Sequence, residues 1–356
     1  MKKIAIFIDN LNIGGIQKSI INILKNIDYK KFQIDLYLFD KDIFYKNDIP
    51  KDVKIIFLNK SKYIYKFLPF NLAYKLNNND YFKNNKNKYD IAIDFDTYQF
   101  DTAYNAIKCH SNKKIMWIHN DVYNEKKYNI KYRILHFFMK GKYKNFNYYV
   151  GVSSGVIDPF ERVNRIKNFN YMVIPNIINT DEIFNKCNEK VLEIKVDNSV
   201  YNLVTVGRLC HQKGYDILLR QYKKIINKRK DIHLYIIGDG EDKKKLVNMA
   251  NKMGLTDYVT FLGKNTNPFK YEKLMDGFVL TSRYEGQGMA ILEAKALGLD
   301  IFIGKNIEKY NGYDIHGYDN LVDAIVLAKK NTNKTYDDLK KYNDNIIKSI
   351  NELFNK

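Results

Sequence analysis

Short apolar runs rich in β-branched residues alternate with segments of helical spacing along this chain, and that alternation is what most limits its fold. In the first half the runs are KIAIFID (residues 3–9), QIDLYLF (33–39), VKIIFL (53–58), DIAIDF (90–95), KIMWIH (114–119) and YYVGVS (148–153). Apolar residues three and four apart, such as Ile16, Ile20, Ile23 and Leu24, fill stretches between them. Buried parallel strands joined by crossover helices account for both periods. Pro175 interrupts the series, and an Asn-rich, mildly acidic segment follows to about residue 200. A second series then begins: YNLVTVG (201–207), HLYIIG (233–238), YVTFLG (258–263), GFVLTS (277–282) and DIFIG (300–304). Two doubly wound α/β domains are expected, over residues 1–176 and 177–334. A helix over 335–356 sets Tyr336, Leu339, Tyr342, Ile346, Ile350 and Leu353 on one face, which must dock to be hidden.

At 356 residues the chain is long enough for two cores. The opening MKKIAIFIDN ends its apolar run at Asp9, too early for a secretory signal, and reads as a first strand. No apolar stretch approaches the eighteen or so residues of a spanning helix. Cys109, Cys187 and Cys210 show neither metal nor redox spacing. A cytoplasmic, reduced protein is expected. The net charge of +19 is uneven: residues 1–150 hold 27 Lys and Arg against 14 Asp and Glu, the remainder 32 against 26. Such a field attracts nucleic acid, anionic headgroups or anionic small molecules. Two basic, aromatic stretches, KSKYIYKFLPFNLAYK (60–75) and KKYNIKYRILHFFMKGKYK (126–144), suit an anionic membrane surface; their alternative is amphipathic helices facing the core.

In open α/β sheets ligands bind beyond the carboxyl ends of the strands, so the residues that follow each strand carry the information. After the first strand, Gly14 and Gly15 turn the backbone into a helix whose free N–H groups face an anion. After LVTVG, Arg208 and Lys213 stand between a strand end and a helix start, flanked by Gly207 and Gly214. Two cations there suit a pyrophosphate: guanidinium binds phosphate oxygens bidentately, and ammonium adds a mobile point charge. Gly238 and Asp239 follow another strand, and His119 and Asp121 follow a strand of the first half. Glu285 and Glu293 flank a glycine-bearing turn in YEGQGMAILEAKALG. No Ser/His/Asp elbow, zinc spacing or Walker loop is present, which leaves binding and electrostatics rather than a protein nucleophile.

Taken in order, GGIQKS, WIHND, VGVSSGV, VIPNIIN, VGRLCHQKG, IIGDG, FLG and YEGQGMAILEAKALG resemble the glycosyltransferases of family 4. The resemblance implies the GT-B fold: two Rossmann-like domains facing each other across a cleft, with the last helix crossing back to the first. It also implies transfer of a sugar from a nucleotide-sugar, most often a UDP-sugar, to an acceptor hydroxyl with retention of configuration. By the same resemblance Arg208 and Lys213 hold the donor diphosphate, so that no metal or other cofactor is required. The backbone amides of Gly286, Gln287, Gly288 and Met289 join them. Glu285 contacts hydroxyls of the donor sugar, Glu293 the ribose, His119 lines the sugar, and Gly15 approaches the phosphates. Asp121 is an acceptor-side candidate. The leaving phosphate itself takes the acceptor proton, so no general base is named. Gln287 stands where an aromatic is common, and the usual longer Gly-rich segment after DIFIG is missing; both bear on donor identity.

The function expected is extension of a saccharide or lipid-linked saccharide acceptor, as in capsule or lipopolysaccharide assembly. The enzyme is then bound peripherally to the inner face of the plasma membrane. The competing readings are a nucleotide-sugar enzyme of the same fold with a soluble acceptor, such as a glycoside synthase or an epimerase, and, from charge alone, a nucleic-acid-binding protein.

Overall fold

The computed structural model describes residues 1–78, 81–84, 87–313, 315–331 and 333–355. The chain divides into two compact units, Met1–Ile177 with Asn343–Lys356, and Ile178–Tyr342.

The first unit holds seven strands: β1 (Lys2–Ile8), β2 (Phe32–Leu38), β3 (Lys54–Phe57), β4 (Lys88–Asp94), β5 (His110–Ile118), β6 (Tyr148–Gly151) and β7 (Tyr171–Val173). All neighbours pair in parallel, in the order β3-β2-β1-β4-β5-β6-β7. Both faces are covered, which is why β1 reads as an almost unbroken apolar run with Ile4 to Ile8 all buried. The strand order reverses between β1 and β4, and at such a reversal the connections that follow the two strands run to opposite faces of the sheet and leave a crevice beyond the carboxyl ends. The first helix, Gly15–Lys25, buries Ile20, Ile23 and Leu24. Its inner face also takes the chain as it leaves the unit: Asn22 Nδ2 donates to the Ile177 carbonyl at 2.8 Å, and Ser19 Oγ bonds Asn176.

The second unit repeats the plan with β8 (Tyr201–Val206), β9 (Ile232–Ile237), β10 (Val259–Gly263), β11 (Gly277–Leu280) and β12 (Asp300–Ile303), ordered β10-β9-β8-β11-β12 and parallel throughout. Its core joins Leu203, Leu234 and Ile236 of the sheet to Leu218, Tyr222 and Ile225 of the helix Tyr215–Lys228. Here the reversal lies between β8 and β11.

The final helix runs over Lys340–Asn355, not from Thr335. Asp337 and Asp338 explain the later start. Their carboxylates accept from the backbone N–H groups of Leu339 and Lys340, each at 2.9 Å, and Leu339 takes a left-handed φ of 50°. Short acidic side chains that bond the nearby backbone compete with the helix and favour its start instead. Ile346, Ile350, Leu353 and Phe354 are buried in the first unit, where Phe354 meets the edge of Phe32 with ring centroids 5.4 Å apart. Lys2 and Lys113 donate to the Asn355 and Leu353 carbonyls at 2.7 and 3.0 Å. Cations there satisfy carbonyls that the helix leaves open and offset its dipole.

Candidate functional site

In the second unit, both chain segments that leave the sheet at the reversal carry candidate residues. The segment after β8 passes Gly207 and Arg208, makes a short 3-10 turn over His211–Lys213, and enters the helix at Tyr215. Two glycines, one in this segment and one after β9, are obligatory for the same two reasons, a positive φ and a backbone oxygen where a Cβ would stand. Gly214 has φ 65°, and a Cβ there would lie 2.2 Å from the Thr281 carbonyl oxygen. Gly238, at the end of β9, has φ 149°, and its Cβ would lie 1.9 Å from the Gly207 carbonyl oxygen. Side chains are excluded so that the loops after β8, β9 and β11 can touch backbone to backbone.

That contact brings Lys213 to Glu285. Lys213 Nζ lies 2.7 Å from Glu285 Oε1, and Ser282 Oγ donates to the same oxygen at 2.5 Å. The Glu285 side chain is 4% exposed and that of Lys213 21%. A carboxylate this deep requires such partners, because removing an ion from water costs several kcal/mol if it is unpaired. The alignment is fixed from outside the pair. Arg283 N donates to the Gln212 carbonyl at 2.8 Å, Gln212 Nε2 to the Tyr284 carbonyl at 3.2 Å, and the Arg283 side chain reaches both the His211 carbonyl and Asp216. Asp216 is held well below the usual carboxylate range by its hydrogen bonds to Arg283.

Arg208 is exposed at the mouth of this loop. Gly286 is partly exposed, Gln287 and Gly288 are buried, and Gly288 caps the helix Met289–Ala296, which carries Glu293 in its second turn. Gln287 is committed by its side chain, which donates to Tyr342 Oη at 2.7 Å. Asp239 is exposed; its carboxylate accepts from the Gly240 N–H at 2.8 Å and from Lys243 Nζ at 2.9 Å. The structure thus joins Lys213 and Glu285 directly, places Gly207 and Gly238 in backbone contact, and gives Asp239 a separate ion pair.

In the first unit, Gly14 caps the helix Gly15–Lys25, and a Cβ on Gly15 would meet nothing within 4 Å. His119, at the end of β5, is buried against Phe95, with ring centroids 4.6 Å apart. Its Nε2 has no hydrogen-bond partner among the described residues. Burial pushes its pKa down to about 3, so the ring is neutral at neutral pH. A buried nitrogen left unbonded costs about 1–3 kcal/mol and calls for an explanation. Asp121 has a structural duty: it caps the helix Val122–Tyr128, accepting from Asn124 N at 3.0 Å and from Asn124 Nδ2 at 2.7 Å.

Several participants escape a reading of the sequence. Asp216 and Arg283 lie 67 residues apart with no local sign of pairing, and Ser282 looks like an ordinary strand-end serine. Asp96 sits at the carboxyl end of β4, accepts from Asp9 N at 2.7 Å, and is raised to about 7 by burial, with Asp94 and Asp9 pushing the same way. Beside it the fully buried Lys142 donates to Asp94 Oδ2 at 3.1 Å and to the Asp96 carbonyl at 3.0 Å.

Residues 192–345 match the family model of the glycosyl transferases group 1. Among curated proteins, an uncharacterized glycosyltransferase of Methanocaldococcus jannaschii is 35% identical over 133 residues, 36% of this chain; the match spans about a third of that relative, 32% of its length. An N-acetylgalactosamine-N,N'-diacetylbacillosaminyl-diphospho-undecaprenol 4-alpha-N-acetylgalactosaminyltransferase of Campylobacter jejuni is 26% identical over 311 residues, covering 83% of this chain and 79% of its own. The crystal structure of Anabaena Alr3699/HepE in complex with UDP and glucose superposes with a TM-score of 0.68 at 16% identity, covering 99% of this chain and all of that one. At that identity the likeness speaks for the fold, two Rossmann-like domains of the GT-B class.

Proposed function

From a GT-B fold whose residues 192–345 match the group 1 glycosyl transferases, we propose that the protein is a retaining glycosyltransferase. It moves a sugar from a nucleotide-sugar, a UDP-sugar, to a hydroxyl of a lipid-linked saccharide. The observation that carries this reading is the Lys213–Glu285 pair, joined across the strand-order reversal of the matched unit. A cation and a hydrogen-bond acceptor side by side are what a sugar diphosphate needs at the bond that breaks.

In this reading Arg208 and Lys213 take the diphosphate. The departing nucleotide gains negative charge, and cations fixed before the reaction stabilise it without reorganisation, each contact contributing about 3 kcal/mol. Metal is not required for that role. Glu285 accepts from hydroxyls of the donor sugar, and Glu293 from the ribose. The backbone N–H groups from Gly286 to Met289 face the phosphates at the start of the helix Met289–Ala296, where the helix dipole favours an anion. Neutral His119 offers a hydrogen bond to the sugar and Gly15 an open backbone to the phosphate. The leaving phosphate receives the acceptor proton, with no protein base. Support for the donor comes from the UDP and glucose of the Anabaena structure, and support for the acceptor from the diphospho-undecaprenol in the Campylobacter relative's name. Among the described residues no helix is long and apolar enough to cross a membrane.

A thermal-shift screen against UDP, GDP, ADP and their sugars tests the donor. A ligand at a hundred times its dissociation constant adds about 2.7 kcal/mol to stability. Product analysis with lipid-linked and soluble saccharide acceptors then tests the transfer. Stabilisation by no nucleotide sugar, or transfer to neither acceptor, ends the reading.

A further inference from the structure

The two basic stretches of the first unit turn part of their apolar side chains outward. Over residues 60–76 and 126–144 there are eleven Lys and Arg, of which Lys142 is buried with Asp94, and no Asp or Glu. Along the helix Ile130–Met139, Ile130, Ile134 and Phe137 are 58%, 53% and 57% exposed. Steps of four and three put them in one stripe, while His136 and Met139 are buried on the other side. Lys131, Arg133 and Lys140 are exposed around that stripe, with Lys140 Nζ 5.0 Å from the Phe137 ring centroid. The other stretch behaves alike: Phe70 and Ala73 of the helix Phe70–Leu76 face the core, while Leu72 and, in the preceding turn, Ile64 and Phe67 are exposed. The stretches touch, since a Cβ on Gly141 would lie 2.8 Å from Asn71 Oδ1. They form one surface, and the alternative of helices hiding their apolar residues in the core fails for these positions.

We propose that this surface seats the protein on an anionic lipid leaflet. Ile130, Ile134 and Phe137 enter the boundary between headgroups and acyl chains, and Lys131, Arg133 and Lys140 lie among the headgroups. Charge complementarity selects the partner: exposed cations ring exposed aliphatic and aromatic groups with no carboxylate in either stretch, the composition of a helix lying in an interface. An aqueous surface gains nothing from exposing these side chains, whereas a leaflet takes both kinds at once. The inference rests on the lipid-linked acceptor of the preceding reading for its purpose alone. Vesicle binding needs no sugar donor, so the two fail separately.

The test is co-sedimentation of the full chain with phosphatidylcholine vesicles containing roughly a third phosphatidylglycerol, against phosphatidylcholine alone. The protein is expected to pellet with the anionic vesicles at low salt and to be released at high salt. Arg133→Gln is expected to lower the partition coefficient about fivefold, and Phe137→Ser about tenfold. Both are surface changes, so melting temperature and any nucleotide-induced shift serve as controls for folding. Absence of binding to anionic vesicles, equal binding to phosphatidylcholine alone, or unchanged partition in both variants overturns the proposal. The first of these results points to a protein partner for the surface.

Discussion

Arg283 grips the Asp216 carboxylate through two parallel contacts, Nη1 to Oδ1 and Nη2 to Oδ2, each 2.8 Å. The pair ties the loop after β11 to the first turn of the helix after β8, and Lys213 and Glu285 lie on the two pieces so joined. Bidentate geometry fixes angle as well as distance. Asp216→Asn and Arg283→Met are therefore expected to reduce kcat for sugar transfer roughly tenfold, equivalent to about 1.4 kcal/mol of transition-state stabilisation. Arg283→Lys keeps the charge but loses the fork, so it is expected to recover only part. Steady-state kinetics with donor and acceptor varied separately checks this, and a change confined to KM would contradict a positioning role.

Lys213→Ala and Glu285→Ala remove members of the proposed site itself. Each is expected to lower kcat by about a hundredfold or more, with circular dichroism of a folded protein. Glu285→Gln keeps a hydrogen-bonding group of the same size and should retain more donor affinity than Glu285→Ala, measured by calorimetric titration with the best nucleotide sugar. Turnover at the wild-type rate in either alanine variant removes these residues from the mechanism.

The glycines separate structure from function. Gly214→Ala and Gly238→Ala place a methyl 2.2 and 1.9 Å from backbone oxygens at positive φ, and both are expected to destabilise by about 3 kcal/mol or more. Gly15→Ala meets no atom within 4 Å and should melt with the wild type. If a phosphate approaches that backbone, the same variant should turn over more slowly. Thermal melts and rates measured on the three proteins decide.

Asp96 gives a pH dependence of known sign. Its pKa is about 7 in the folded protein, against an ordinary 3.8. Between these values the folded state holds a proton that the unfolded chain has released, so this carboxyl's contribution to stability is lost as pH rises from about 4 through 7. Asp96→Asn does not titrate. Its stability relative to wild type is expected to improve with rising pH, by up to about 1.4 kcal/mol per unit within that window. Urea unfolding at several pH values reads the difference; a gap that stays constant, or narrows in the other direction, refutes the assignment.

Strands announced themselves because a buried parallel strand is apolar on both faces, as Ile4 to Ile8 show. The candidate loops of the second unit are legible for a related reason: Gly207, Lys213 and Glu285 lie in the segments between a strand end and the next helix, where such sheets expose chemistry. Three things were not legible. The Asp216–Arg283 pair depends on two segments meeting in space, and no periodicity encodes that. Asp121 looked like a ligand group because it follows a strand, yet the same position also starts a helix, and capping claimed the carboxylate. Apolar spacing that continues through Tyr336 and Leu339 predicts a longer last helix, whereas Asp337 and Asp338 divert the backbone before Lys340.

The helix Lys340–Asn355 also sets an order of events. From Asn343 on it belongs to the first unit, yet it is translated after all of the second. Domains usually fold as they emerge from the ribosome, the N-terminal one first. Here Phe32 and its neighbours wait, uncovered, until residues 343–355 arrive. A fragment ending at Ile177 lacks that cover and is expected to be sticky and short-lived. Supplying the helix as a separate peptide should rescue its solubility.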